Sequence, residues 1–344
     1  MEREEQYKKL PGALLPWFAA NARELPWRRD REPYHVWLSE IMLQQTRVEA
    51  VRGYYLRFLE ALPTIEALAD ADEGALLKLW EGLGYYSRAR NLQKAAREIV
   101  SGCGGRFPDR FEAIRALPGV GPYTAGAIAS ICFEQPRAAV DGNVLRVLSR
   151  LTEDASPVDL PEVKKDFTAR LEAVYPAGRC GAFTQALMEL GAVVCTPRSP
   201  DCGKCPCAGF CLAREHGTAA SLPARLPKRD KREEARTVFL LRCGDRLAIR
   251  RRPSRGLLAG LWELPNVPGA LDAAAALRHA ETLGVSPAEL VQELRRTHVF
   301  THIRWEMTGY LILCREEAPD FVWASEDELC ETYALPTAFR QFLP

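Results

Sequence analysis

The stretch Leu117-Pro118-Gly119-Val120-Gly121-Pro122-Tyr123-Thr124-Ala125-Gly126 reads as a glycine-rich hairpin opening a helix, and it decides how the first half of the 344-residue chain is understood. Glycine permits positive φ and close backbone approach. The N-terminus of the helix that follows, Thr124 to Cys132, offers unpaired N–H groups and the positive end of a dipole. Such a hairpin can hold a phosphate without any lysine. Twenty residues beyond Gly121, Asp141 stands in Val140-Asp141-Gly142-Asn143-Val144 at a helix start, where its carboxylate can cap the helix.

Working outward, Trp37, Leu38, Ile41, Met42 and Gln45 recur at helical spacing, and helices are expected over 75–80, 89–100 and 143–151. Short punctuators separate them: Leu62-Pro63, Gly82 to Gly84, Gly102 to Gly105 and Pro118 to Pro122. The pattern is helical up to about residue 212. From Ser221 to Arg236 apolar content falls, and Arg225, Lys228, Arg229, Lys231, Arg232 and Arg236 outnumber Asp230, Glu233 and Glu234. This reads as an exposed, phosphate-contacting linker. Beyond it the period changes. Thr237 to Leu241 and Arg246 to Ile249, separated by Cys243-Gly244-Asp245, form a β-hairpin pattern, 303–314 is rich in strand formers, and Asp272 to Leu283 reads as a helix. The expected division is a helical region 1–212, a linker 213–235 and an α+β domain 236–344.

With 47% hydrophobic and 26% charged residues, the chain is neither disordered nor fibrous. No apolar run approaches the roughly 18 residues that a membrane span needs, and Met1 to Leu10 is charged where a secretory signal would be apolar. A soluble, cytoplasmic protein without a membrane partner is expected. A formal charge of +1 means that nucleic-acid affinity must come from a local basic face. Eleven cysteines cannot all pair, and disulfides are rare in cytosolic chains. Cys103, Cys132, Cys180, Cys243, Cys314 and Cys330 lie singly and read as small buried hydrophobes. Cys195, Cys202, Cys205, Cys207 and Cys211 crowd one loop-like stretch, a density that calls for a metal. Six, two and five residues intervene between Cys195, Cys202, Cys205 and Cys211, and four thiolates suit either Zn²⁺ or an iron–sulfur cluster.

The hairpin string resembles the helix-hairpin-helix element of base-excision DNA glycosylases, and Asp141 matches the catalytic aspartate of that superfamily. The cysteine spacing, following Glu189-Leu190-Gly191-Ala192, resembles the [4Fe-4S] loop of endonuclease III and the adenine glycosylases, which favours iron and leaves Cys207 as the spare. Leu25-Pro26-Trp27-Arg28, Trp37 to Thr46 and Gly82-Leu83-Gly84-Tyr85-Tyr86 resemble the adenine DNA glycosylase (MutY-like) branch, a match spanning almost the whole chain. The resemblance implies a multidomain fold: an all-α helix-hairpin-helix DNA glycosylase with an iron–sulfur loop, plus a C-terminal α+β Nudix-like domain. The helical part would comprise a six-helix subdomain at about 29–140 and an iron–sulfur subdomain from 1–28 and 141–212. It implies a monofunctional hydrolase of base excision repair, a monomer of bacterial type at the nucleoid, removing adenine opposite 8-oxoguanine or G in double-stranded DNA. Endonuclease III-type enzymes carry a Schiff-base lysine where this chain has Tyr123, so a simple glycosylase is expected.

Adenine is a poor anionic leaving group and must be protonated as it departs. A carboxylic acid kept neutral in apolar surroundings can do this near pH 7, and the resemblance maps Glu40, flanked by Trp37, Leu38, Ile41 and Leu43, onto that acid. Asp141 then stabilises the oxocarbenium-like sugar. Tyr123 and Asn143 would hydrogen-bond Asp141 or the adenine, and Trp27, Arg28, Leu43 and Gln185 would line the adenine pocket. Gln45, Thr46 and Tyr85 match wedge residues, with Gly119, Val120 and Gly121 on the DNA backbone. Phe300-Thr301-His302 matches the 8-oxoguanine-reading loop, with threonine where serine is frequent, so a hydroxyl persists. Aligned on Leu283-Gly284-Val285, the Nudix signature has Arg278 and Thr282 at two glutamate positions and keeps Glu281 alone, so pyrophosphate hydrolysis is not expected. Two other readings stand beside this one: an endonuclease III-like glycosylase/lyase on oxidised pyrimidines, and a non-catalytic iron–sulfur DNA-binding protein.

Overall fold

A computed structural model describes residues 2–227 and 230–343, so Lys228 and Arg229 of the basic linker lie outside the described residues. Helices come first: α1 (Glu2–Asn21), α2 (Pro33–Leu43), α3 (Val48–Ala61), α4 (Ile65–Asp70), α5 (Glu73–Leu79), α6 (Ser87–Cys103), α7 (Phe111–Ala116), α8 (Pro122–Phe133), α9 (Gly142–Leu151), α10 (Pro161–Glu172), α11 (Cys180–Val193) and α12 (Leu212–Glu215). Strands β1 (Arg232–Cys243), β2 (Arg246–Arg251), β3 (Trp262–Glu263) and β4 (Asn266–Pro268) follow, then α13 (Ala273–Thr282), β5 (Pro287–Val299), β6 (Ile303–Cys314), β7 (Val322–Ala324), α14 (Glu326–Glu331) and α15 (Thr337–Arg340). None of the described helices is long and apolar enough to cross a membrane.

The chain divides into two compact units, Met1–Asp70 with Arg90–Pro227, and Ala71–Ala89 with Lys228–Pro344. In the first, α2 is buried at Tyr34 and from Val36 through Met42, because apolar residues dominate the helix and leave it little solvent face to keep. Helix α8 is likewise buried, and its small residues let neighbouring backbones approach closely. A second cluster unites α1, α9, α10 and α11 around Leu10, Leu14, Val144, Leu148, Phe183 and Leu187. Helix α9 begins at Asp141, which caps it by accepting from Val144 N.

The second unit is a seven-stranded sheet in the order β3-β2-β1-β6-β5, with β4 on β1 and β7 on β2. The hairpin between β1 and β2 pairs Arg242 with Leu247 and Cys243 with Arg246. Strand β1 runs parallel to β6, Arg232 opposite Ile303 through Arg242 opposite Leu313. Strand pairing therefore starts four residues inside the expected linker, because β6 supplies backbone partners to a polar segment whose side chains stay in water. Residues 237–241 are continuously buried because both faces of the sheet are covered. Val238 and Leu240 face one core with Trp305 and Phe339, and Phe239 and Leu241 face the other with Ala276 and Ala280 of α13.

Residues 71–89, expected within the helical region, belong to this second unit. The reason is polar. Glu81 accepts from Leu335 N and Arg340 Nη1, both at 2.9 Å, and from Lys78 Nζ at 2.7 Å. Lys78 Nζ also donates to the carbonyls of Leu329 and Tyr333.

Phe183, fully buried and edge-on to Tyr175 at 5.1 Å, anchors α11 in its cluster. Phe183→Ala should cost about 3–5 kcal/mol, measured as an earlier urea midpoint with an unchanged m value; a midpoint at the wild-type position would contradict this packing.

Candidate active site

A cavity of about 710 Å³ opens in the first unit, and it gathers residues far apart in sequence. Glu40 reaches it from α2, Tyr123 from the first turn of α8, Asp141 and Asn143 from the start of α9, and Gln185 from α11. Trp27 and Arg28 line it from a 3₁₀ turn at Pro26–Arg28, and Leu43, Gln45 and Thr46 from the end of α2 and the turn after it. Gln45 was expected to continue the helix. It instead takes φ +58° beyond the last helical residue, Leu43.

Glu40 is only 7% exposed, and burial raises its carboxyl pKa to about 7. The Tyr123 hydroxyl bonds to that carboxyl and works the other way, the Asp141 charge adds to the rise, and Arg28 opposes it. Burial also drives the Tyr123 phenol well above its ordinary value, so it stays a neutral donor. Its other neighbour is the Met188 sulfur at 4.0 Å. Asp141 is bonded at both oxygens, Oδ1 by Val144 N at 2.7 Å and Oδ2 by Asn143 Nδ2 at 2.9 Å. Burial pushes its pKa up, against those bonds and the Arg146 charge.

Arg146 is a neighbour of this site that the sequence did not single out. Its Nη2 donates to Asn143 Oδ1 at 2.9 Å and to Gly191 O at 2.7 Å, and its Nε to Cys195 O at 2.8 Å. One buried guanidinium thus joins the Asp141–Asn143 pair to the cysteine loop. Gly191 packs so closely that a Cβ there would fall 2.6 Å from Asn143 Cβ. Glu189, fully buried, also lines the cavity and bonds Arg23 and Arg28. Its only sequence signal was its place four residues after Gln185, on the same helical face.

In the hairpin, Gly119 has φ +76°, and a side chain there would strike Asn91. Gly121 needs no such freedom: it is the extended N-cap of α8, with open space where a Cβ would point. Both glycines line the cavity, whereas Val120 is buried beneath.

Cys195, Cys202, Cys205 and Cys211 all line one small second cavity, and no cysteine is in a disulfide. Arg150 Nη1 donates to Cys195 Sγ at 3.3 Å and to Thr196 O at 2.7 Å, bracing the loop. Among the described residues, no group of three or more His, Cys, Asp or Glu side chains could hold a single metal ion. Cys207 is instead packed in the apolar core. Of the six lone cysteines expected to be buried, Cys103 is exposed because it is the last residue of α6, where the chain runs out into solvent, and Cys330 is exposed beside the buried Leu329; Cys132 and Cys243 are half-buried.

In the second unit, Tyr85 and Thr301 meet, their hydroxyls 2.9 Å apart with either able to donate. Tyr85 is strained, at φ +47° and 48% exposed. Phe300 is packed edge-on against Trp305 at 4.8 Å, leaving Thr301 and His302 exposed at the tip of the β5–β6 turn.

A buried carboxyl facing a helix-capping aspartate, beside a glycine hairpin in a helical scaffold, defines the helix-hairpin-helix class of base-excision glycosylases. Residues 38–170 match the HhH-GPD superfamily of base excision DNA repair proteins, and residues 237–344 match the NUDIX domain. A thermostable thymine-DNA glycosylase of known structure superposes with a TM-score of 0.56 at 30% identity, covering 62% of this chain and 98% of that one. The chain is 36% identical to the adenine DNA glycosylase of Mus musculus, over 95% of this chain and 76% of the mouse protein. It is 34% identical to that of Homo sapiens, over 96% and 72% respectively. This chain belongs to the adenine DNA glycosylase family.

Gly191→Ala should displace Asn143, which bonds Asp141, and slow adenine release roughly 100-fold, the loss that a shift of about 1 Å within an active site can bring. Single-turnover kinetics beside a circular dichroism melt would check this; a wild-type rate would show that Asn143 can yield without consequence.

Proposed function

We propose that the protein excises adenine paired with 8-oxoguanine in double-stranded DNA, using Glu40 as proton donor and Asp141 as the opposing carboxylate. The buried Glu40 carboxyl, whose pKa is raised to about 7 inside a cavity that could receive a base, carries the reading. The adenine first leaves the stack, at a cost of a few kcal/mol that a mispair reduces. Gln45, Thr46 and Tyr85 fill or wedge the gap, while Gly119 and Gly121 offer N–H groups to the backbone and Val120, its N–H bonded to Leu117 O at 3.1 Å, holds the turn that presents them. Trp27, Arg28, Leu43 and Gln185 wall the adenine.

Glu40 then gives its proton to the departing base. Asp141, bonded at both oxygens and capping a helix N-terminus, is the ionised member of the pair and stabilises the oxocarbenium-like sugar until water adds to its anomeric carbon and gives up the proton that replaces the one Glu40 lost. Tyr123 holds the Glu40 carboxyl in place, and Asn143 holds Asp141. Nothing in this sequence of steps calls for a Schiff-base amine. Opposite the adenine, Thr301, with Phe300 and His302 beside it, reads the 8-oxoguanine, its hydroxyl steadied by Tyr85.

Cys195, Cys202, Cys205 and Cys211 are the ligands of a [4Fe-4S] cluster. Four free thiols lining one cavity are the donor set that such a cluster takes. When bound, the cluster supplies a rigid staple for the loop. Arg198 and Lys204 on that loop then meet phosphate, Lys204 exchanging its exposed contact with Asp201. The protein acts as a monomer on cytoplasmic, nucleoid DNA.

Glu40→Gln should lower single-turnover excision at least ~100-fold while duplex binding persists. Because the acid must be protonated, the wild-type rate should fall as pH rises through about 7. Duplexes with A opposite 8-oxoguanine, A opposite T and thymine glycol, with and without alkali, test the substrate. Alkali-dependent breaks at the mispaired adenine are expected; alkali-independent breaks at thymine glycol alone would favour the lyase reading. Reversing the charges of Arg198 and Lys204 should weaken binding to every duplex and flatten its salt dependence; binding that ignores both changes would separate the loop from phosphate.

A further inference from the structure

Glu189 is the most heavily bonded acid around the cavity, and none of the roles above uses it. Its Oε1 accepts from Arg23 N at 3.0 Å and Arg23 Nε at 2.7 Å, and its Oε2 from Arg23 Nη2 at 2.9 Å and Arg28 Nη2 at 2.8 Å. The other end of the Arg28 fork, Nη1, donates to Arg23 O at 3.2 Å. The carboxylate is fully buried, whereas the Arg23 side chain is 32% exposed and Arg28 16%. Burying a carboxylate with two guanidiniums is costly unless all the charges are paired, so the arrangement needs a reason beyond packing.

We propose that Glu189 is a positioning residue that fixes the Arg28 guanidinium at the wall of the adenine cavity and offsets its positive charge beside Glu40. The inference rests on Glu40 being the proton donor. The titratable groups around Glu40 are Arg28 from the 3₁₀ turn, Tyr123 and Cys132 from α8, and Asp141 from the cap of α9. Arg28 is the one cation in that set. An unopposed guanidinium favours the carboxylate form of a neighbouring acid, which is the wrong form for giving a proton. A carboxylate bonded directly to the guanidinium reduces that influence while leaving Arg28 able to bond adenine. Burial works to raise the Glu189 carboxyl, but the bonds from Arg23 and then Arg28 prevail and hold it at about 2, so Glu189 stays charged wherever Glu40 titrates.

The experiment is the pH dependence of single-turnover excision on an A:8-oxoguanine duplex for the wild type, Glu189→Gln, Glu189→Asp and Arg28→Gln. Glu189→Gln should move the falling alkaline limb down by about one pH unit, and Arg28→Gln should move it up by about as much. Glu189→Asp should restore the limb toward its wild-type position even if the rate stays low. A Glu189 that merely holds the fold would lower rates and leave every limb in place, and that result overturns the proposal. Should Glu189→Gln not fold, Arg28→Gln decides, because Glu189 keeps its three bonds to Arg23 there; an unmoved limb refutes the charge argument. A wild-type protein that leaves adenine in place would refute the reaction reading alone. Carboxyl titration of Glu40 by ¹³C NMR in the free protein, assigned with Glu40→Gln, then shows the same opposite shifts or overturns the inference.

Discussion

Withdrawing the Glu40 carboxyl from water is the constraint on which the rest of the first unit depends. It requires a helix with no solvent face, which α2 provides by burying Tyr34 and the run from Val36 to Met42. That in turn requires α8 to pass close by with small side chains and to bring Tyr123 to the carboxyl in its first turn. The neutral form of the acid is favoured there over the charged one, because it loses far less on leaving water.

The opposite side of the cavity is governed by α9. Its cap is Asp141, and its buried face carries Arg146 and Arg150 one turn apart. Neither guanidinium depends on a carboxylate partner. They donate to backbone carbonyls at Gly191, Cys195, Thr196, Pro197 and Leu222, so an irregular loop that cannot satisfy its own oxygens is satisfied by side chains of a regular helix. The same helix that orients Asp141 therefore shapes the cysteine loop.

Much of this could be read from residues. The hairpin, the capping aspartate twenty residues on, the change of period near residue 236 and the four spaced cysteines are local patterns, and local patterns survive in sequence. What escaped depends on tertiary neighbours. A glutamate in a helix is ordinarily solvated, so beyond its place one turn after Gln185 little in the sequence distinguishes Glu189, whose partners lie more than 160 residues away. The attachment of residues 71–89 to the second unit rests on Lys78 and Glu81 meeting carbonyls and a guanidinium some 250 residues later. The early onset of β1 likewise comes from β6, not from its own polar residues. Cys103 and Cys330 show the converse: cysteine's usual preference for burial was overridden by their places at a helix end and on a short helix.

The raised pKa of Glu40 also makes folding itself a proton-binding event. The carboxyl titrates at about 7 in the folded chain against an ordinary value of 4.5, so between those values folding takes up a proton. The sign runs opposite to that of a salt-bridged acid: this group's contribution is most favourable below the lower value and declines by about 3 kcal/mol as pH rises to the upper one. Heats of unfolding in that window consequently carry the ionisation enthalpy of the buffer, and matched scans in phosphate and in an amine buffer should differ by the proton released. The acid that equips the cavity for chemistry is written into the calorimetry of the empty protein.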